Sequence, residues 1–314
     1  MTQRYQYPHK LIAIVGATAS GKSSVAIELA RRFNAEIISV DSLQIYKYFD
    51  IGTGKITFDE KRLVNHHLID IVTPEQLYDA AKFQKDADAA IRKITERGKN
   101  IILAGGAGLY LRALLRGLFQ IPSDPIVREQ LKQESEDLGL EILYKRLQKI
   151  DEESTQKISQ NDAIRIIRAL EVYQITGETF SALSKRHQKQ DKRYEAMILG
   201  LSPPRPILFE RINQRVESML AEGWAQEVEM LRFMGYSPEL KAMQAIGYRE
   251  INMVLNGTLE SAELLQRIQR QTRLYAKRQM TWFRKENVTW YESGEELLKD
   301  PKLEVQIREF FNQS

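Results

Sequence analysis

Gly16-Ala17-Thr18-Ala19-Ser20-Gly21-Lys22-Ser23 is the stretch on which the reading of this chain turns. Two glycines five positions apart, followed at once by a lysine and a hydroxyl side chain, have the spacing of a P-loop. Leu11-Ile12-Ala13-Ile14-Val15 before it is a short apolar run, as expected of a strand buried in a parallel sheet. After it, Ser23 to Phe33 has amphipathic helical periodicity, with Val25, Ile27, Leu29 and Ala30 among polar residues. The glycines let successive N–H groups turn inward, and the start of the helix adds partial positive charge. Lys22 offers a point charge to phosphate oxygens, and the Ser23 hydroxyl is placed to hold Mg²⁺. A polyphosphate ligand follows. Which polyphosphate stays open, and the bland alternative is a glycine-bearing strand-to-helix turn.

The bulk properties narrow the class. A length of 314 residues suits one large or two ordinary domains, and 43% apolar with 28% charged residues suits a globular fold. The absence of cysteine excludes disulfides, thiolate metal sites and a cysteine nucleophile. No apolar run reaches the length of a membrane span, and Met1 to His9 is too polar for a signal peptide, so the expected location is cytoplasmic. A net charge of +4 is a mild bias toward anionic partners, which makes the placement of charge more informative than its sum.

Glu36 to Val40 is strand-like, and Asp41 falls at its end. Ligands of open parallel sheets bind at the carboxyl ends of strands, so Asp41 is expected beside the P-loop. A carboxylate there serves as general base or holds a metal through water. An Asx turn ending the strand explains it equally well, and the local sequence leaves both open. His66 to Ile71 reads as a further short strand, its two histidines as packing residues. Ala80 to Glu96 reads as a helix with Phe83, Ala87, Ala90, Ile91 and Ile94 on one face. Asn100 to Ala104 is a third buried strand, followed directly by Gly105-Gly106-Ala107-Gly108 and a helix from Leu109 to Leu118. Repeated strand–turn–helix units with glycine turns at strand ends predict an α/β, doubly wound parallel sheet.

Composition shifts at Ile121-Pro122-Ser123-Asp124-Pro125, and helical periodicity runs on to about Arg193. Residues 122–194 are therefore expected to form an all-helical insertion between core segments 1–121 and 195–314. Asn161-Asp162 starts a helix in which Arg165 and Arg168 share one face. Ile164, Ile166, Ile167, Leu170 and Val172 make that helix read as largely buried, so its arginines require anionic partners. Glu195 to Leu201 reads as a strand returning to the sheet. From Pro206 a helix presents Phe209, Ile212, Val216, Met219 and Leu220, with Arg211 and Arg215 beside them. A last long helix, Ser261 to Arg284, places Leu264, Ile268, Tyr275 and Trp282 toward the core. It is strongly basic, with Arg267, Arg270, Arg273, Lys277, Arg278 and Arg284, and suits a nucleic-acid surface better than a merely solvated face.

Together these blocks resemble one family, the tRNA dimethylallyltransferases. The resemblance is carried by Gly16 to Ser23, Asp41-Ser42-Leu43-Gln44-Ile45-Tyr46, Asp50-Ile51-Gly52-Thr53 and His66 to Asp70. It continues through Gly105 to Tyr110, Asn161 to Glu171, Ala242 to Arg249 and Thr272 to Gln279, in order over about residues 11–290. It implies a P-loop NTPase-like core and transfer of a dimethylallyl group from dimethylallyl diphosphate to N6 of the adenosine just 3′ of the anticodon. Gly16, Ala17, Thr18, Ala19, Ser20, Gly21, Lys22 and Ser23 would hold the donor's diphosphate with Mg²⁺. Arg215 would face that diphosphate, and Arg165 is a second candidate. Asp41 is implied as the base that takes the N6 proton. The tRNA-facing positions are Asp41, Ser42, Leu43, Gln44, Ala107 and Arg128, then Ile164, Arg165, Ile166, Ile167 and Arg168. They continue with Gln244, Ala245, Ile246, Gly247, Tyr248, Arg249, Arg273, Lys277 and Arg278. The adenosine is expected to be flipped into a channel opposite the donor, the insertion to clamp the anticodon stem, and the enzyme to be a bacterial-type monomer.

Two positions depart from the family pattern. Ala107 stands where Thr is usual, which removes one hydroxyl from the donor site, and Ala17 stands where Pro is usual, which loosens the turn. A nucleotide kinase, a prenyltransferase acting on free AMP or ATP, and a P-loop RNA-binding protein without chemistry are the competing readings. The kinase leaves the basic last helix unused, and a free nucleotide needs no extended basic surface.

Overall fold

The computed structural model describes residues 5–118, 123–188 and 192–312. The chain divides into two compact units, Met1–Gly117 with Lys192–Ser314, and Leu118–Asp191. The expected boundary at 121/122 lies outside the described residues. The expected return at 195 comes slightly late, because Arg193 and Tyr194 are already fastened into the first unit. Arg193 Nη2 and the Tyr194 hydroxyl both donate to Asp88, at 2.6 and 2.8 Å.

In chain order the elements are β1 (Lys10–Gly16), α1 (Lys22–Arg32), β2 (Ala35–Val40), α2 (Phe58–Leu63), β3 (His66–His67), α3 (Ala80–Glu96), β4 (Asn100–Gly105) and α4 (Gly108–Arg116). The second unit holds α5 (Pro125–Leu138), α6 (Leu140–Ile150), α7 (Glu152–Thr155), α8 (Ala163–Thr176) and α9 (Phe180–Gln188). The first unit then resumes with β5 (Glu195–Leu201), α10 (Arg205–Ala221), α11 (Trp224–Phe233), α12 (Tyr248–Leu255) and α13 (Ser261–Phe283). It ends with β6 (Thr289–Tyr291), α14 (Gly294–Lys299) and α15 (Pro301–Asn312).

The strands form one sheet in the order β3-β2-β4-β1-β5-β6, parallel throughout. One face presents Ile12, Ile14, Ile37, Ile102, Leu199 and Leu201 to Val25, Ala26, Leu29 and Ala30 of α1 and to Leu297, Leu303 and Ile307 of the C-terminal helices. The opposite face is covered by α3 and α4, which bury Phe83, Ile91, Leu111 and Leu114. Continuous apolar strands fit because both faces are covered. The strand read over His66 to Ile71 is only two residues long. Leu68 and Asp70 stand at φ 60° and 59°, which takes the chain out of the extended conformation.

The helical unit has its own core of Leu131, Leu143, Leu147, Ile158, Ile166, Ile167, Ala169 and Leu170. The Asp162 carboxylate accepts the Arg165 N–H, so the sequence's helix start is a true N-cap. Among the described residues, no helix in either unit is long and apolar enough to cross a membrane.

At the amino end of β2, Glu36 carries a buried charge. Arg97 Nη2 and His67 Nε2 lie 2.6 Å from its Oε2, and Asn65 donates to Oε1 at 3.3 Å. Burial raises its pKa, but the Arg97, His67 and Asn65 hydrogen bonds outweigh burial and hold it at about 2, against an ordinary 4.5. A carboxylate depressed in the folded state stabilises above its ordinary value and loses that contribution as pH falls. Urea unfolding should therefore show stability declining from about pH 5.5 toward pH 2. Glu36→Gln should flatten that decline and cost about 2 kcal/mol at neutral pH.

Candidate active site

The register of three neighbouring strands builds the site. Val15 of β1 and Val40 of β2 are both level with Gly105 of β4. The chain therefore leaves all three strands at one height, which brings the P-loop, Asp41 and Gly106 together. In the loop, Ser20 N–H donates to Ala17 O at 3.3 Å, and Ala19 is held at φ 60°. Ala17 is fully buried against Leu208 and Ile212 of α10 and Ala276 of α13, so packing holds the turn where the sequence predicted loosening. The N–H groups of Ala19, Gly21, Lys22 and Ser23 have no protein acceptor among the described residues. They border a cavity of about 300 Å³ with Thr18, Lys22, Ser23, Asp41, Gly106 and Arg215 in its wall. Ser20 Oγ is buried without a hydrogen-bond partner. This is an anion cradle built from main chain.

Lys22 Nζ donates to Ala17 O at 2.5 Å. Removal from water pulls its pKa down to about 8; the Arg215 charge adds to this and the Asp41 charge opposes it. Arg215 is itself lowered by burial, with Asp41 and Glu222 opposing. Its guanidinium fills the space beside Gly54, where a Cβ would stand 1.8 Å from Nη2.

A second cavity, of about 380 Å³, adjoins the first. Thr18, Asp41, Thr53, Arg215 and Tyr275 line both. Its remaining wall includes the rings of Tyr46, Tyr78, Tyr110 and Trp224. Of the two readings of the Asp41 carboxylate, the Asx turn is present, and it leaves one oxygen over. Oδ1 accepts the N–H groups of Leu43 and Gln44 at 2.8 and 3.3 Å, an Asx turn, while Oδ2 accepts nothing from the described residues.

Sequence reasoning missed the clamp that holds Thr53 over both cavities. Glu227 of α11 accepts the N–H groups of Asp50, Ile51 and Gly52 at 2.9, 2.6 and 3.3 Å. Its Oε1 also accepts the Tyr248 hydroxyl at 2.6 Å. The Trp224 ring lies between Gly52 and Gly247, where added Cβ atoms would come within 2.0 and 1.9 Å of it. The glycines in two sequence-legible blocks were the available signal; the ring that requires them lies far from both.

The positions expected to face tRNA divide into two kinds. Gln244, Lys277 and Arg278 are exposed, and Ser42, Leu43, Gln44, Ala245, Ile246 and Ala107 are partly so. Arg249 pairs with Glu250 at 2.6 Å, and Arg273 donates to Asn213 Oδ1 at 2.6 Å. Tyr248 and Gly247 are buried, so they support that surface from beneath instead of meeting RNA. In the helical unit, Ile166 and Ile167 are core residues and are likewise removed from the RNA-facing set. Ile164 is the reverse case: expected to be buried, it is 83% exposed. Arg165 is exposed, 3.4 Å from Asp162. Arg128 and Arg168 find their anionic partner within the unit. Both hydrogen-bond the fully buried Glu171, Arg168 at 2.8 Å and Arg128 at 3.1 Å. Burial raises the Glu171 pKa, and these bonds with the Asp124 N–H bring it below its ordinary value.

The fold and cradle define a P-loop protein whose anion site opens onto an aromatic-walled cavity. Residues 44–286 match the IPP transferase family, and the chain belongs to it. It is 45% identical over 293 residues to the tRNA dimethylallyltransferase of Carboxydothermus hydrogenoformans, covering 92% of this chain and 94% of that one. The tRNA dimethylallyltransferase 2 of Geotalea daltonii is also 45% identical, over 90% of this chain and 87% of its own. The crystal structure of tRNA delta(2)-isopentenylpyrophosphate transferase from Staphylococcus epidermidis superposes with a TM-score of 0.70 at 38% identity, covering 96% and 99% of the two chains. A eukaryotic dimethylallyltransferase acting on tRNA gives 0.75 at 29% identity, over 95% of this chain and 77% of that one.

The lowered Lys22 pKa has a consequence for anion binding. Below about pH 8 the amine is charged and attracts phosphate; above it the amine is neutral and that attraction is lost. Calorimetric titration with inorganic diphosphate and Mg²⁺ should therefore show affinity falling by about tenfold between pH 7 and pH 9.5. Lys22→Met should bind weakly at every pH; the diphosphate's own titration is common to both proteins and cancels in the comparison.

Proposed function

We propose that this protein transfers the dimethylallyl group of dimethylallyl diphosphate to N6 of the adenosine just 3′ of the anticodon in tRNA. Diphosphate leaves in the reaction. The observation that carries the reading is the wall shared by the two cavities, where Asp41 is the carboxylate common to both. Glu60, the other acid beside the cradle, is occupied by the Thr57 N–H in a capping box. The diphosphate fits the smaller, polar cavity, on the unsatisfied N–H groups of Ala19, Gly21, Lys22 and Ser23 with the Lys22 and Arg215 side chains. A flipped adenine fits the larger one, flat against the tyrosine and tryptophan rings.

In the transfer, the bond between the allylic carbon and the diphosphate oxygen breaks as the bond from N6 to that carbon forms. The electron pair leaves on the diphosphate, where N–H groups, Lys22 and Arg215 meet the growing charge. The N6 proton passes to Asp41 Oδ2. Thr18 stands beside the exchange as a hydroxyl donor, whereas the Thr53 hydroxyl is spent on Phe49 O at 2.6 Å. Ala107 supplies only main chain, its N–H being spent on Val40 O at 3.1 Å.

The residues present suit a hard divalent cation held chiefly through substrate oxygens. Ser23 and Asp41 offer oxygen donors in the cradle wall, and the described residues hold no cluster of three or more His, Cys, Asp or Glu able to bind a metal alone. Mg²⁺ bound there would supply charge neutralisation on the departing diphosphate. On the first unit the exposed Gln244, Lys277 and Arg278 are offered to the anticodon stem-loop; the helical unit, taken by itself, exposes Arg165 and Ile164. The protein is expected to act as a monomer in the cytoplasm.

Incubation with dimethylallyl diphosphate, Mg²⁺ and unmodified tRNA, followed by nucleoside analysis, should yield N6-dimethylallyladenosine in tRNA and none in free AMP. ATP turnover or prenylated AMP would sink the reading. Asp41→Asn keeps the acceptor for Leu43 and Gln44 but removes the base. It should lower kcat by about 100-fold or more while leaving the donor's Kd within a few-fold.

A further inference from the structure

Helix α13 reaches the donor cradle through one buried amide. Gln279 Oε1 accepts the Thr18 N–H at 2.9 Å, and its Nε2 donates to Gly106 O at 3.1 Å. Thr18 belongs to the P-loop and Gly106 to the turn after β4, and both residues and Gln279 itself line the diphosphate cavity. The approach is close: a Cβ on Gly106 would stand 2.0 Å from Gln279 Nε2. One turn further along, the Trp282 ring lies on Gly108, where a Cβ would come within 2.3 Å. Arg112 stacks on that ring, 4.3 Å from its centroid. Gln279 is 7% exposed, its bond to Gly106 O buried and its bond from the Thr18 N–H partly so. The same helix turns Lys277 and Arg278 outward.

We infer that Gln279 is a positioning residue that sets the spacing between the two main-chain walls of the donor cradle. The claim rests on the donor reading given above. The two halves of the amide hold different walls. Its oxygen orients the peptide of Thr18, which fixes the direction in which the following loop N–H groups point. Its nitrogen holds the glycine turn at a set distance across the cavity. No group of similar length that only accepts, or only donates, holds both walls. Without the bridge, the partly buried Thr18 N–H and the buried Gly106 carbonyl lose their partners, and the loop turns to find others. The diphosphate would then meet N–H groups aimed elsewhere.

The test compares the full-length protein with Gln279→Met, which keeps length and volume but forms neither bond, and Gln279→Glu, which keeps an acceptor for Thr18 and turns an oxygen toward Gly106 O. Calorimetry with inorganic diphosphate and Mg²⁺ should give a Kd about tenfold higher for Gln279→Met, and the KM for dimethylallyl diphosphate should rise in step. Gln279→Glu should be worse than Met, since it also places negative charge in the cavity wall. The Kd for tRNA should stay within about twofold in both, because the outward face of α13 is untouched. Diphosphate Kd and donor KM both within twofold of wild type in Gln279→Met would overturn the inference. Loss of fold or of tRNA binding in both variants would also overturn it, making Gln279 a structural strut. If the wild-type protein itself binds no diphosphate, the donor reading fails first, and this inference with it.

Discussion

One register fixes the chemistry. Val15, Val40 and Gly105 sit level across three hydrogen-bonded parallel strands, so the loops that follow them begin at a common height. A slip of one residue in β2 would move Asp41 by about 3.3 Å and turn its side chain to the other face of the sheet. The buried faces make such a slip costly. Ile37 packs on the α1 side of the sheet, and Ile38, its neighbour, is fully buried on the other. The hydrophobic pattern that folds the sheet is thus the same constraint that aims the carboxylate.

Three other carboxylates are bonded differently from Asp41. Glu36, Glu171 and Glu227 are each met by several donors: Arg97, His67 and Asn65 for the first, Arg128, Arg168 and the Asp124 N–H for the second, three main-chain N–H groups and Tyr248 for the third. For Glu36 and Glu171 the donors hold the pKa below its ordinary value and stabilise the charged form. All three carboxylates join segments distant in sequence, which is a structural use. Asp41 commits one oxygen to its own turn and leaves the other toward the cavities. That asymmetry is the geometric ground on which the proposed base role of Asp41 rests.

The elements legible in sequence were those encoded locally. Leu11 to Val15, Glu36 to Val40 and Asn100 to Ala104 announce their strands by composition, and the P-loop by spacing, so the position of Asp41 followed from topology. Asp162 declared its helix start. The rest is non-local. Glu227 is an ordinary acid on an amphipathic helix until the loop at Asp50 to Gly52 folds against it. Tyr46, Tyr78 and Tyr110 come from separate segments, and no spacing rule gathers them into one cavity. In α13 the near-heptad reading placed Leu264, Ile268, Tyr275 and Trp282 in the core, whereas the buried set is Ile268, Ala276, Gln279 and Phe283. The helix packs on a loop and a glycine turn as well as on other helices, so its inner face includes a polar residue that periodicity assigns to the surface. Similarly, Arg128 and Arg168 read as surface for RNA because Glu171 lies three residues from one and forty-three from the other.

The two substituted alanines fall on different sides of this division. Ala17 is enclosed by Leu208, Ile212 and Ala276, so the turn it belongs to is held by packing against α10 and α13 and has little need of a proline's fixed φ. Ala107 is held through main chain alone, its N–H donating to Val40 O and its carbonyl accepting the Leu111 N–H, both at 3.1 Å, and its methyl offers no hydroxyl to the cavity. Main-chain polar groups already supply most of the cradle: the N–H groups of the loop are oriented by the fold and need no rotamer fixed at the moment of reaction. A site whose donors are mostly backbone tolerates the loss of one side-chain donor better than a site built from side chains. Its vulnerability lies instead in whatever holds the backbone segments at their separation.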